Sequence, residues 1–139
     1  MAFYFTSEDI PMPDLQQKKI QEWIKTIIND YSKKLGDLTY IFTSDEYILK
    51  INQQYLQHDY YTDIITFDYS ENDIISGDLF ISLETVQSNA EKYNNPFLEE
   101  LHRVIIHGIL HLLGFNDKTE KENLQMRALE DKALRKLKC

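Results

Sequence analysis

A chain of 139 residues suits one domain, and its 42% hydrophobic and 27% charged residues exclude a disordered protein. The single cysteine, Cys139, excludes an intrachain disulfide and a thiolate metal cluster. A net charge of −8 excludes a general nucleic-acid coat, which works through cationic surface. The charge is uneven, with 7 Lys/Arg against 5 Asp/Glu after residue 116 in a chain that is otherwise strongly acidic, so any attraction of a polyanion has to be local.

In chain order, Phe3 to Thr6 reads as a short aromatic strand that Pro11 to Asp14 interrupts. Asp14 is the expected cap of a helix whose apolar residues Ile20, Trp23, Ile24, Ile27, Ile28 and Tyr31 recur at three- and four-residue spacing, and Gly36 is its expected end. Leu38 to Thr43 reads as a strand, and Ser44 with Asp45 and Glu46 opens a second helix to about Leu56. Thr62 to Asp68 and Gly77 to Ser82 are strand-like and flank a polar hairpin, and Ser82 caps a third helix to about Tyr93. Asn95 and Pro96, with the proline at the first helical position, start a fourth helix that runs to Leu113 and stops at Gly114. Thr119 and Glu122 form a capping box for a last helix bearing Met126, Leu129, Ala133 and Leu137 on one side.

Strands come early and helices dominate late. We therefore expect an α+β fold: one domain over residues 1–139, with a small mixed sheet of about four strands packed against about five helices. The first residues lack the basic and apolar regions of a secretory leader. The longest apolar segment, Val104 to Phe115, is shorter than the roughly 20 residues that span a bilayer. A cytoplasmic protein with no membrane partner is expected.

The chemistry concentrates in the fourth helix. His107 and His111 are four residues apart, which leaves them about 40° apart around a helix axis, one turn above the other, so both can face one ion. His102 precedes His107 by five residues, about 140° away, and is excluded from the same ion. Gly114 can take the left-handed conformation that folds a chain back after a helix, which brings Asp117 within reach as a third ligand. Two imidazoles and a carboxylate leave a position open, as catalytic zinc sites require. Spacing alone leaves two readings open, a metal site or two histidines satisfied on the surface or in the core. Helical two-histidine metalloproteases place Glu immediately after the first His as general base; here that position is Gly108, which speaks against a peptidase.

His107-Gly-Ile-Leu-His111-Leu-Leu-Gly114-Phe-Asn-Asp117 resembles the signature of the YbeY family, bacterial metal-dependent endoribonucleases and rRNA maturation factors, whose motif reads His-Gly-x-Leu-His-Leu-x-Gly-Tyr-Asp-His. Two further blocks agree with it, Ile51 to Tyr55 continuing through Thr62 to Phe67, and Gly77 to Ile81. The resemblance implies one zinc ion on the motif helix, held by His107 and His111, with the strand Gly77 to Ser82 and the segment Thr62 to Phe67 walling a cleft. It implies action on RNA in 16S rRNA 3′-end maturation and ribosome quality control, with rRNA and the small ribosomal subunit or its assembly factors as partners and no role for DNA.

Two positions depart from the family pattern. The third histidine falls on Asp117, which makes harder divalent metals more competitive with zinc, and the family arginine falls on Leu56. Arg103, one helical turn before His107, is the expected catalytic substitute for that arginine; the alternative is a surface pair with Glu99 or Glu100. Tyr55, Tyr60 and Tyr61 are candidates for base stacking, and His58 is expected to face solvent. Other classes remain open at this point: a ribosome-assembly binding protein with a structural metal, a hydrolase of another substrate, or a non-haem iron enzyme.

Overall fold

The computed structural model describes residues 3–55 and 62–138. Leu56, His58, Tyr60 and Tyr61 lie outside the described residues, and with them the expectations placed on those positions. The elements follow in the order β1 (Phe3–Ser7), α1 (Gln17–Asp30), β2 (Lys34–Thr43), α2 (Asp45–Tyr55), β3 (Ile64–Asp68), β4 (Ile74–Ser82), α3 (Leu83–Lys92), α4 (Phe97–Leu112) and α5 (Glu120–Lys138). The fold is α+β, with five helices and a four-stranded mixed sheet among the described residues.

The strand order is β1-β2-β4-β3. β1 runs parallel to β2 and β2 parallel to β4, while β3 pairs antiparallel to β4 and forms one edge. The β1–β2 connection carries α1, because parallel neighbours cannot be joined by a tight turn. Alternation along the strands sends Leu38, Tyr40, Phe42, Leu79 and Ile81 into the main core. There they meet the apolar stripe of α1 and Leu101, Ile105, Ile106 and Ile109 of α4. Two polar handles fix the helices to this core: the Tyr40 hydroxyl donates to the Ile105 carbonyl of α4 at 2.9 Å, and the Trp23 indole N–H donates to the Ala133 carbonyl of α5 at 2.8 Å.

Several expected boundaries move. The N-cap position of α1 is Gln16, which makes no side-chain cap hydrogen bond, rather than Asp14, and the helix ends at Asp30 with Tyr31 as its C-cap, well before Gly36. Ser32, at φ 62°, takes the left-handed position expected of a glycine: its N–H reaches the Asn29 carbonyl, and the Lys33 N–H reaches that of Ile28. Gly36 lies inside β2, at the register shift between Leu35 and Leu38. β4 starts at Ile74 rather than Gly77, because the Asn72 turn closes a tight hairpin through a Glu71–Ile74 bridge. Pro96 is the N-cap of α4 rather than its first helical residue, with ψ 144°.

Other signals hold. The Ser82 hydroxyl accepts the Thr85 N–H. In the capping box, the Thr119 N–H donates to Glu122 at 3.0 Å and the Glu122 N–H to the Thr119 hydroxyl at 3.1 Å. No helix among the described residues is long and apolar enough to cross a membrane.

Candidate metal centre

Helix α4 carries both histidines, and its approach to the sheet is set by the residue between them. A Cβ on Gly108 would stand 2.4 Å from Leu79 Cδ2 and 2.8 Å from Ile64 Cδ1, so with any larger residue these two side chains would have to shift for this turn to lie as close on β3 and β4. Gly108 therefore explains more than the missing peptidase base: it seats His107 against the edge strand.

The helix then ends as its sequence requires. Gly114 has φ 106°, its N–H donates to the His111 carbonyl at 3.0 Å, and the Phe115 N–H donates to the Leu110 carbonyl at 3.0 Å. This paired pattern is the Schellman turn, and it reverses the chain over the last turn of α4. Asp117 is thereby returned to the histidines. His107 Nε2 lies 3.0 Å from His111 Nε2 and 3.1 Å from Asp117 Oδ2, and His111 Nε2 lies 3.4 Å from the same oxygen.

These three residues fit a divalent ion. Tetrahedral zinc, with ligand distances near 2.0–2.1 Å, spaces its donor atoms roughly 3.3 Å apart. The observed triangle has the size of one face of such a tetrahedron, and its partly exposed position leaves the opposite side open to the cleft. The tautomer agrees. His107 Nδ1 lies 2.6 Å from Glu130 Oε2 of α5, and a carboxylate can only accept, so Nδ1 carries a proton and Nε2 is the nitrogen turned toward His111 and Asp117, the one that would give its lone pair to an ion in exchange for any proton it holds.

Charge points the same way. Burial draws the His107 imidazole down, but the Glu130 hydrogen bond and charge, with Asp117 and Asp63, outweigh it and hold the ring above the ordinary histidine range. The Asp63 carboxyl is pushed up, chiefly by burial, against the pull of His107. Such a concentration of carboxylates around imidazole favours a cation.

The triangle opens on a cleft of about 590 Å³. Thr62, Asp63, Ile64, Thr66 and Asp68 line one side, His107, His111 and Leu112 another, and Asn52, Asp117 and Lys118 complete the wall. The expectation that Thr62 to Phe67 walls the cleft agrees with this lining. β4 does not line it; its Leu79 packs beneath Gly108 instead.

Arg103 is placed elsewhere. Its guanidinium binds Glu130 at 2.8 Å and Asp131 at 2.6 Å, both on α5. It lines a separate groove of about 530 Å³ together with His102, whose ring stands edge-on to Trp23 at 6.2 Å. Tyr55 is exposed, with its ring against Phe67. Sequence reasoning missed Glu130 and Lys118. Glu130 carried a signal, since an acidic residue falls in the apolar stripe between Met126, Ala133 and Leu137.

The family model "Endoribonuclease YbeY" matches residues 5–138. A relative from Bacteroides fragilis named endoribonuclease YbeY is 59% identical over 134 residues, covering 96% of each chain. One of the same name from Phocaeicola vulgatus is 59% identical over 94% of each chain, and one from Porphyromonas gingivalis is 52% identical over 94% of this chain and 86% of its own. The solution structure of TM1509 from Thermotoga maritima superimposes with TM-score 0.68 at 30% identity, covering 97% of this chain and 88% of that one. Matched almost end to end by both the family model and the curated relatives, the chain belongs to the endoribonuclease YbeY family.

Proposed function

We propose that this chain is a metal-dependent endoribonuclease whose His107, His111 and Asp117 hold one divalent ion, zinc in the first instance, for cleavage of RNA phosphodiester bonds. The substrate we assign is precursor rRNA of the small ribosomal subunit at the 16S 3′ end, met in the cytoplasm during subunit maturation and quality control. The observation that carries this reading is the convergence of three donor atoms, 3.0 to 3.4 Å apart, on the wall of an open cleft.

When bound there, a divalent ion supplies Lewis acidity toward a phosphoryl oxygen. The chain's own residues do the rest. His107 and His111 present Nε2 from successive turns of one rigid helix, which fixes two donors without loop motion. Asp117 adds an anionic oxygen, and Lys118 beside it offers a cation at the cleft wall to a phosphate. Arg103, expected to grip phosphate directly, is engaged by two carboxylates; we assign it a positioning role, argued below.

A second reading has one observation in its favour. Asp63, Asp68 and Asp117 outnumber Lys118 among the charged cleft residues, which suits a non-catalytic assembly factor with a structural metal. Metal content and cleavage of a 16S 3′ precursor, measured on wild type and His111→Ala purified side by side, separate the two. Loss of both zinc and cleavage in His111→Ala is expected. Cleavage surviving the substitution sinks the nuclease assignment, and zinc bound by a wild type that cuts no precursor favours the assembly factor.

A further inference from the structure

We propose that Glu130, held in place by Arg103, is a positioning residue of the metal centre: it locks the His107 tautomer and thereby sets the metal affinity of the site. The inference rests on the proposed metal centre and deepens it.

The two oxygens of Glu130 have separate tasks. Oε1 accepts from Arg103 Nη1 at 2.8 Å, and Oε2 accepts from His107 Nδ1 at 2.6 Å. The other Arg103 amine nitrogen, Nη2, donates to Asp131 Oδ1 at 2.6 Å, so the guanidinium is fixed by two consecutive residues of α5. Arg103 and His107 are one turn apart on α4, and one buried carboxylate therefore reads both.

The alternative is a plain ion pair joining two helices. Geometry and cost argue against that as the whole account. Glu130 is only 6% exposed, within an otherwise apolar stripe, and apolar residues join helices at least as well as a buried ion pair, whose desolvation consumes most of its attraction. What an apolar residue cannot do is fix a ring proton. By accepting at Nδ1, Glu130 leaves the Nε2 lone pair facing His111 and Asp117, and it raises the basicity of the ring as a donor. Arg103 neutralises Glu130 from behind and stops it from turning toward the ion. In this proposal Arg103 serves the site through a carboxylate rather than through contact with phosphate.

The test is zinc affinity by chelator competition, with imidazole 15N NMR of the metal-free protein at a pH high enough to leave the His107 ring neutral, on wild type, Glu130→Gln, Glu130→Asp and Arg103→Met. Glu130→Gln should bind zinc about 10–100-fold more weakly, with its circular dichroism unchanged and His107 no longer confined to the Nδ1–H tautomer. Glu130→Asp should recover part of the loss, and Arg103→Met should show a smaller one. Wild-type affinity in Glu130→Gln, or a wild-type His107 ring protonated at Nε2 instead of Nδ1, overturns the proposal; the second readout needs no variant to fold. If the wild type binds no zinc, the metal centre itself fails and this inference with it. Zinc binding by the wild type with no change in the variants removes the inference alone.

Discussion

Asp117 and Lys118 leave the Gly114 turn as neighbours with opposite charge. As the proposed third ligand, Asp117 would bring a full negative charge where the family motif has a neutral imidazole, which would weaken a bound ion as a Lewis acid and favour harder metals. Lys118 works against that cost. It is the only lysine or arginine among the described residues lining the cleft, whose lining also includes Asp63, Asp68 and Asp117. If it meets a phosphate of single-stranded substrate, removing it releases one fewer counterion, and the slope of log KM against log salt should fall by about 0.7. Lys118→Ala is therefore expected to raise KM at low salt with little change in kcat, the difference shrinking as salt rises. Parallel salt plots for the two proteins would take Lys118 out of substrate binding.

At the scale of elements, the position of α4 decides whether a site exists at all, and Gly108 is where helix and sheet touch. Gly108→Ala would gain about 1 kcal/mol of helix propensity. It would also force a methyl to within 2.4 Å of Leu79, a fully buried side chain whose neighbours leave it little room to move. Overpacking of this kind costs about 1–3 kcal/mol, so a net loss of roughly 1 kcal/mol and a lower thermal midpoint are expected; a midpoint equal to or above wild type would mean that the sheet yields freely. Much of this element was readable beforehand. The apolar stripe, the histidine pair and Gly114 fixed the helix, its functional face and its end, and the Thr119–Glu122 box fixed the start of α5. What stayed hidden has physical reasons. Glycine signals both helix ends and strand irregularities, so Gly36 pointed to the wrong one while Ser32 ended α1 without a residue type that marks it. Glu130 meets His107 across a seam between helices, a contact that no spacing along either helix encodes.

At the scale of the molecule, the proposed metal centre lies where the C-terminal part of the fold is joined to the rest. Two of the proposed ligands come from α4, the third from the return toward α5, and Glu130 of α5 backs the first. A cation bound there cross-links these pieces and offsets the repulsion among Asp63, Asp117 and Glu130 around His107, so binding should favour the folded state strongly. Zinc at about 100 times its dissociation constant adds about 2.7 kcal/mol by mass action. For a domain of this length that corresponds to a rise of roughly 10 °C in the unfolding midpoint. Thermal unfolding of chelator-treated protein, repeated with increasing zinc, should show that rise in wild type and lose it in His111→Ala. An equal shift in both proteins would mean that zinc acts on the acidic surface at large, and the histidine pair would then have no claim on it.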